Sequence, residues 1–240
     1  MIIQGELPFL TEKNHIISIV GAGGKTTLMY ALAERFVQNG ARTLVSTTTH
    51  IYRPEERLWA KSPKEVRALW AGGTYAVAGL AAGEGKLKSL PQREQERCMR
   101  MADIVLLEAD GAKKMPCKVP AAHEPVIPDV SDIVIGVMGM SAYGRPAGEV
   151  CFRQELAAQL FGLAPQDIMT AERMTKILAS REGTRKAVGD RDYYVVLNQC
   201  DSAGERGAGE RIIQLLRAQG IDRCVLACLS SDPPLYSARK

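Results

Sequence analysis

The chain shows two patterns of hydrophobic and polar positions: short continuous apolar runs, and longer segments in which apolar residues recur at helical spacing. A short apolar run predicts a strand buried on both faces of a parallel sheet, whereas helical spacing predicts an amphipathic helix. Strands are predicted at 15–20, 42–48, 74–80, 103–107, 132–139, 193–197 and 224–229. Helices are predicted at 28–36, 63–70, 92–101, 149–163, 170–181 and 212–216. Because strands alternate with helices, we expect an α/β fold with a mainly parallel sheet and helices on both faces.

The expected organisation is a single α/β domain over residues 1–240, since no internal repeat or low-complexity tract divides the chain. The helices between 149 and 189 lie between two predicted strands, which predicts a small helical insertion there. The glycine- and lysine-rich stretch at 81–88 is predicted to be exposed, and the tail from Ser230 is polar and contains proline.

A glycine-rich turn joins the first predicted strand to the first helix. It reads Gly21-Ala22-Gly23-Gly24-Lys25-Thr26-Thr27. Glycines let backbone N–H groups close around phosphate oxygens, the lysine adds a positive charge, and the first threonine offers its hydroxyl to Mg²⁺. The full phosphate-loop pattern has a glycine where this chain has Ile19. We interpret the shorter Gly-x-x-Gly-Lys-Thr-Thr as a loop that binds a nucleoside triphosphate, with Lys25 as a candidate catalytic residue.

Two carboxylates follow the strand predicted at 103–107, at the edge where open α/β sheets bind ligands. Glu108 and Asp110 are two positions apart, which places them on the same side if the strand continues. A carboxylate at this edge can hold Mg²⁺ directly or through water. The predicted metal ligands are therefore Thr26 with Glu108 or Asp110, and Asp110 is also a candidate catalytic residue.

Three consecutive threonines, 47–49, end the strand predicted at 42–48. Threonine favours strands, so ordinary β-propensity accounts for the cluster. Equally, three hydroxyls beside a phosphate loop can position water or Mg²⁺. On that second interpretation Thr48 or Thr49 lies close to the γ-phosphate, and Thr48 is a candidate catalytic residue.

The strand predicted at 193–197 ends in Asn198-Gln199-Cys200-Asp201. In GTP-binding proteins a strand ending in Asn-Lys-x-Asp recognises guanine, because the aspartate accepts from the ring N–H and the amino group. Here Gln199 replaces the lysine, and asparagine and aspartate are also common turn residues. Asn198 and Asp201 are therefore candidate nucleotide-binding residues, with GTP favoured over ATP.

A proline-rich stretch from 111 to 128 excludes a helix and predicts an extended crossing. Its cations Lys113, Lys114 and Lys118 either meet an anionic ligand or form a solvated loop. His123 is a conceivable catalytic group, although a lone histidine beside a glutamate is more often simply hydrogen-bonded. Cys117 is a conceivable nucleophile, although no base is evident nearby.

Composition narrows the classes of function. Hydrophobic residues make up 46% and charged residues 24% of the chain, as in ordinary globular proteins. A net charge of +4 is too small for a typical nucleic-acid binder, and no apolar run is long enough to span a bilayer. No signal peptide is evident at 1–13, and the six cysteines contain no Cys-x-x-Cys pair. We therefore expect reduced thiols and a cytoplasmic protein.

Three segments resemble the YqeC family in their order and their residues: the glycine-rich loop at 21–27, the segment 103–111 and the segment 193–201. The most specific matches are the runs Glu108-Ala109-Asp110-Gly111-Ala112-Lys113-Lys114 and His123-Glu124-Pro125-Val126-Ile127-Pro128. The resemblance extends from Gly21 to Asp201 and implies a three-layer P-loop NTPase-like fold. It also implies a role as an accessory protein in maturing a selenium-containing molybdenum cofactor or hydroxylase. The residues that match the family's motifs are Gly21, Gly24, Lys25, Thr26, Glu108, Asp110, Gly111 and His123.

Together, the residues and the resemblance predict a Mg²⁺-dependent nucleoside-triphosphate hydrolase that supports assembly of this cofactor. The expected partner is a molybdenum hydroxylase or a cofactor-maturation protein. Two alternatives stay open. One is a nucleotide-dependent transferase or ligase that activates a small acid, because the shortened loop is similar to that of the Mur ligases. The other is a nucleotide-gated delivery protein with very slow turnover.

Overall fold

The computed structural model describes residues 2–4 and 7–229 of the chain. Residues 1, 5, 6 and 230–240 lie outside the described residues. The ends of the domain predicted over 1–240, and the polar tail predicted from Ser230, fall among them.

Nine strands of the described chain form one twisted sheet in the order β1-β14-β13-β11-β2-β9-β3-β6-β5. In chain order the strands are β1 (Ile2–Gln4), β2 (His15–Gly21), β3 (Thr43–Thr47), β4 (Ile51–Tyr52), β5 (Trp59–Ala60), β6 (Ala76–Ala78), β7 (Leu80–Ala81), β8 (Lys86–Lys88), β9 (Ile104–Glu108), β10 (Cys117–Lys118), β11 (Ile133–Gly139), β12 (Cys151–Phe152), β13 (Asp192–Asn198) and β14 (Cys224–Cys228). All neighbouring pairs of the large sheet are parallel except β1 with β14. The predicted mainly parallel sheet is confirmed.

Helices cover both faces of this sheet. They are α1 (Lys25–Gln38), α2 (Pro63–Ala71), α3 (Gln92–Met101), α4 (Ala147–Val150), α5 (Gln154–Phe161), α6 (Ala171–Ala179) and α7 (Ala203–Arg217), with single 3-10 turns at Pro8–Thr11, Glu56–Leu58 and Met140–Ala142. Local capping helps to start several of them. The hydroxyl of Ser202, for example, accepts from the Glu205 N–H, while the Glu205 carboxylate accepts from the Ser202 N–H.

Alternate residues of each strand face opposite helical layers, as the pleat requires. Ile17 and Ile19 of β2 pack in the same core cluster as Leu28 of α1. Val105 of β9 faces the other way and packs with Val66 of α2. A third cluster joins the sheet to α6 and α7 on that second face. The three-layer α/β architecture is therefore confirmed, and both faces of the sheet are buried.

Strand register gathers the carboxyl ends of the central strands at one edge. Glu108 of β9 lies opposite Ile19 on one side and Thr47 on the other. Gly21 lies opposite Val137 of β11. The polar residues that follow these strands are therefore brought together, as expected for an open parallel sheet.

One local prediction is wrong: the helix predicted at 149–163 is interrupted by β12, because Cys151 pairs with Cys117 of β10. The stretch at 81–88 is largely exposed, as predicted, but it also contains β8, which pairs with β4 and β7 in a small antiparallel sheet. Strands of two or three residues carry no clear periodicity of their own, so pairing partners elsewhere in the chain decide them. The segment 149–189 connects the adjacent strands β11 and β13, and its α6 packs against α7.

Candidate functional site

The turn between β2 and α1 has the backbone conformation of an anion-binding loop. Gly21, Gly23 and Gly24 have φ of 93°, 84° and 103°. A Cβ at Gly21 would lie 2.2 Å from the carbonyl oxygen of Val137, and one at Gly23 would lie 2.1 Å from the amide nitrogen of Gly139. Only glycine combines positive φ with such a close approach to the backbone of β11. The glycines therefore hold the loop against its neighbouring strand.

The backbone N–H groups of the loop divide into two sets. The N–H groups of residues 21–23 donate to the side chain of Asp110 and to the carbonyl oxygens of Val137 and Met115. The next four N–H groups, from Gly24 to Thr27, meet no acceptor among the described residues, and their residues line a cleft. Four such donors at the start of a helix, with the helix dipole behind them, form a site for an anion such as phosphate.

The ammonium group of Lys25 turns back toward the end of β9. Lys25 is only 4% exposed and donates a 2.7 Å hydrogen bond to the carbonyl oxygen of Gly21. Its Nζ lies 3.2 Å from Asp110 Oδ1 and 3.9 Å from Glu108 Oε1. The nearer contact is an ion pair without hydrogen-bonding orientation, since Asp110 Oδ1 has no hydrogen-bond partner in the described part of the chain. Phosphate oxygens at the loop would compete with these carboxylates for the same cation.

A hydroxyl and a carboxylate meet beside the loop. Thr26 Oγ1 in the first turn of α1 donates a 2.7 Å hydrogen bond to Glu108 Oε2. Burial raises the pKa of Glu108, while Lys25 and the Thr26 hydroxyl oppose that rise. Mg²⁺ in phosphate-loop proteins takes one hydroxyl and a carboxylate, and phosphate and water complete its shell. The Thr26–Glu108 pair fits this donor set. The described residues contain no cluster of three or more His, Cys, Asp or Glu that would hold a metal by itself.

Asp110 belongs to a buried ion-pair network that the sequence patterns did not reveal. Its Oδ2 accepts from the Gly21 N–H and lies 2.9 Å from Lys118 Nζ. Lys118 also donates 2.7 Å hydrogen bonds to Glu124 and to the Gly111 carbonyl oxygen. Burying three cations without counter-charges would carry a large desolvation penalty, and here three carboxylates supply those counter-charges. The network consists of Lys25, Glu108, Asp110, Lys118, Glu124 and Arg153.

Glu124 anchors the far end of this network. Arg153 donates to both of its carboxylate oxygens. Burial acts to raise the pKa of Glu124, but the hydrogen bonds from Arg153 and Lys118 outweigh burial and lower the pKa to about 2. One feature of the sequence points to this network, namely charged residues between closely spaced prolines. Such a segment cannot form a helix, so its charged residues do not lie on a solvated helix face.

Asp110 and Glu108 have different partners in this network. The Asp110 carboxylate contacts Lys25, Lys118 and the Gly21 N–H, whereas the Glu108 carboxylate contacts the Thr26 hydroxyl. The structure thus brings all three predicted metal ligands to one place but gives them different partners. Metal binding and catalysis by Asp110 stay predictions.

The threonines after β3 contact the same edge of the sheet. Thr47 Oγ1 donates to the Glu108 carbonyl oxygen and accepts from the Thr49 N–H. Thr48 Oγ1 donates to the carbonyl oxygen of Val126, while Thr49 lines the cleft. The hydroxyls of Thr47 and Thr48 therefore bind backbone groups of Glu108, Thr49 and Val126 and hold these segments together. A catalytic role for Thr48 stays a prediction.

Asn198 and Asp201 occupy different environments. Asn198 is buried behind the phosphate loop, where its side-chain amide donates a 2.8 Å hydrogen bond to the Gly23 carbonyl oxygen. Asp201 is exposed, and its Oδ1 accepts from the thiol of Cys228. Gln199 lines the cleft, and its side-chain oxygen accepts from Ser141. Guanine recognition by this pair stays a prediction, but the amide of Asn198 already supports the loop.

The cleft beside the loop has a volume of about 530 Å³. It is lined by Gly23, Gly24, Lys25, Thr26, Thr27, Thr49, His50, Ile51, Tyr52, Lys86, Glu108, Gly111, Ala112, Lys113, Lys114, Met115, Glu124 and Gln199. The three lysines for which the sequence left an anionic ligand or a solvated loop equally open are divided: Lys113 and Lys114 line the cleft, while Lys118 lies in the buried network. His123 is exposed and is not among the lining residues.

Cys98, Cys117, Cys151, Cys200 and Cys224 are buried free thiols. A hydrogen bond with Cys151 and burial raise the pKa of Cys117, which disfavours the thiolate that a nucleophile needs. None of the helices in the described part of the chain has the length and apolar character needed to cross a bilayer.

Comparison with known proteins gives two matches. The family model described as "YqeC protein" matches residues 17–155, which include the loop, both carboxylates and the buried network as far as Arg153. "Uncharacterized protein YqeC" from Escherichia coli (strain K12) is 29% identical over 232 residues, covering 92% of this chain and 90% of that protein.

Proposed function

The chain belongs to the YqeC family, and with that as the premise we propose that it is a Mg²⁺-dependent nucleoside-triphosphate hydrolase that supports maturation of a selenium-containing molybdenum cofactor or hydroxylase. The role in maturation comes from the family resemblance. The nucleotide chemistry comes from the geometry of the site.

One observation supports nucleotide binding above the others. The N–H groups of Gly24 to Thr27 have no acceptor among the described residues, and these four residues line the cleft at the start of α1. The Lys25 ammonium and the Thr26–Glu108 pair adjoin them. This arrangement supplies backbone donors, a cation and a donor set for Mg²⁺ around the first turn of α1 and the end of β9. A polyphosphate chain is the ligand class that uses all three.

The residues then have separate tasks. The N–H groups bind and orient the phosphates, and Lys25 exchanges its carboxylate partners for phosphate oxygens. Thr26 and Glu108 are the residues that would hold Mg²⁺, which supplies charge neutralisation at the phosphate oxygens when bound. Asn198 and the three glycines keep the loop in the required shape.

Titration of GTP and ATP, with and without Mg²⁺, into the protein and its Lys25→Met variant tests the proposal, followed by measurement of phosphate release. We expect affinity to fall by about tenfold or more in the variant, because a charge-assisted contact is lost. Lys64→Met is a matched control, since Lys64 is an exposed lysine on α2. Equal nucleotide binding by the wild type and Lys25→Met would contradict the proposal.

A second candidate is a transferase or ligase that acts on a small acid. It is favoured by the lining of the cleft, which includes Tyr52, Lys113 and Lys114 in addition to Thr26 and Glu108. Phosphate release that depends on an added acid would support this candidate. Tight nucleotide binding with negligible release under all conditions would instead favour a nucleotide-gated delivery protein.

A further inference from the structure

The cleft has a second half, which lies on the β3 side of the Thr26–Glu108 pair. It is formed by Tyr52 and Lys86 from the small sheet and by Lys113 and Lys114 from the turn after β9. Asn198 ends β13 and Asp201 follows it, and β13 lies on the opposite side of β2 in the sheet order. A ligand in this second half would therefore lie away from the predicted base-binding side.

Cations surround an exposed aromatic ring in this half. Tyr52 is 47% exposed. The ammonium groups of Lys114 and Lys86 lie 5.2 and 5.9 Å from the centre of its ring. Within the described residues, neither Lys113 nor Lys114 forms an ion pair, although Lys86 lies 3.7 Å from Glu84. Cations that the protein leaves without counter-charge, grouped at a cleft, attract anionic ligands.

The turn that carries Lys113 and Lys114 is held in a specific conformation. Both lysines have positive φ, 46° and 63°, which is uncommon for residues other than glycine. The buried Lys118 binds the Gly111 carbonyl oxygen at one end of the turn, and the Gly23 N–H binds the Met115 carbonyl oxygen at the other. The turn is thus tied directly to the phosphate loop, and strained residues held in this way cluster at ligand sites.

Tyr52 is fixed independently of that turn. It is the register partner of Lys86 in the antiparallel pair β4–β8, and its carbonyl oxygen accepts a 3.4 Å hydrogen bond from the Tyr30 hydroxyl. Two separate parts of the chain therefore place two ammonium groups, those of Lys86 and Lys114, beside one aromatic ring. Lys113 also lines the cleft, but its ammonium group lies 5.2 Å from the centre of the Phe152 ring. This combination favours an anion with a flat ring over inorganic phosphate alone, because the ring of Tyr52 adds an apolar contact surface.

We infer that the half of the cleft lined by Tyr52, Lys86, Lys113 and Lys114 binds a second ligand beside the nucleotide, an organic anion that carries a planar aromatic or heteroaromatic ring. The inference rests on the proposed function for the occupant of the phosphate loop. It adds a ligand class that the loop itself does not specify.

The test uses 1-naphthyl phosphate as the probe and the full chain saturated with a non-hydrolysable GTP or ATP analogue and Mg²⁺. Binding of the probe is measured by calorimetry for the wild type, Lys113→Gln/Lys114→Gln and Tyr52→Leu. We expect each variant to weaken probe binding by about tenfold or more while nucleotide affinity changes by less than about twofold. 1-Naphthol, which lacks the anion, and inorganic phosphate, which lacks the ring, should bind more weakly than the probe.

Matched controls are available on the surface. Lys64→Gln/Arg67→Gln removes two exposed cations from α2, and Tyr143→Leu removes an exposed ring outside the cleft. Probe binding that is absent from the wild type, equal in all variants, or abolished by the nucleotide analogue would overturn the inference. Failure of the analogue itself to bind would instead contradict the proposed function, and probe binding measured without nucleotide would still decide the subsite.

Discussion

The side-chain amide of Asn198 donates a 2.8 Å hydrogen bond to the carbonyl oxygen of Gly23, 175 positions earlier in the chain. The same amide nitrogen would lie 2.5 Å from a Cβ at Gly24. The end of β13 therefore supports the phosphate loop from behind. On the proposed function, Asn198 would contribute to nucleotide binding through the shape of the loop, whichever base the nucleotide carries.

Asn198→Ala should therefore weaken GTP and ATP binding by similar factors. Loss of one buried hydrogen bond costs about 1 kcal/mol, which corresponds to about fivefold in affinity. Asp201→Asn should leave the loop intact and, if Asp201 recognises guanine, remove a preference for GTP over ATP. Competition binding with both nucleotides separates the two effects. A large change in the GTP to ATP ratio in Asn198→Ala would show that Asn198 contacts the base.

Lys25→Met keeps the apolar stem of the side chain but removes the charge between two buried carboxylates. We expect the melting temperature without ligand to fall, because Asp110 and Glu108 lose a counter-charge. Lys25 holds down the pKa of Glu108, so the variant should raise that pKa further above its ordinary value of 4.5. A carboxyl group whose pKa is raised in the folded protein makes folding less favourable as pH rises above 4.5, because the unfolded chain releases its proton first. The stability of the variant should therefore fall more steeply with rising pH than that of the wild type. Urea unfolding between pH 4.5 and neutrality measures this slope, and an unchanged slope would contradict the prediction.

Glu108→Gln and Asp110→Asn should have different effects. Glu108 contacts the Thr26 hydroxyl, so its amide variant should lose most of the Mg²⁺ dependence of nucleotide binding. Asp110 lies between two lysines and a loop N–H, so Asp110→Asn should lower thermal stability and weaken binding equally with and without Mg²⁺. Nucleotide titrations at several Mg²⁺ concentrations compare them. The opposite assignment of metal dependence would make Asp110 the ligand.

The lowered pKa of Glu124 predicts how the stability of the protein changes in acid. Its pKa in the folded protein is about 2, below the ordinary 4.5, so its contribution to stability is present above pH 4.5 and is lost as pH falls toward 2. Glu124→Gln should cost about 3 kcal/mol at neutral pH, because Lys118 and Arg153 stay buried with less counter-charge. It should also flatten the loss of stability in acid. Denaturant midpoints between neutral pH and the acid limit measure both effects, with the exposed Glu149→Gln as the control.

Gly23→Ala should prevent the loop from adopting its shape. The new Cβ would lie 2.1 Å from the backbone of Gly139, in addition to the conformational cost of positive φ. Gly144→Ala is the matched control, because φ is also positive there, 76°, but no atom lies within 4 Å. The control should lose about 1 kcal/mol, whereas Gly23→Ala should lose more stability and most of its nucleotide affinity. Equal losses in the two variants would mean that contact with β11 contributes little to the loop.

The sequence by itself determined the layered α/β fold and the loop. A largely apolar run such as 132–139 predicts a strand that is buried on both faces. Glycines directly before Lys25 and Thr26 predict a turn with positive φ, which glycine adopts without strain. Glu108 was identifiable in the same way, because a carboxylate at the end of an apolar strand lies at the ligand edge. Each of these inferences uses neighbours within a few positions of the chain.

Only the tertiary structure decided which partners these residues have. The contact of Asn198 with Gly23, the pairing of Lys118 with Asp110 and the placement of Tyr52 beside Lys114 all join segments that carry no local sign of one another. Strand order and register set these distances, and they depend on the packing energy of the whole sheet rather than on local propensity. For the same reason Asn198, which the sequence offered as a base contact or a turn residue, lies beneath the loop.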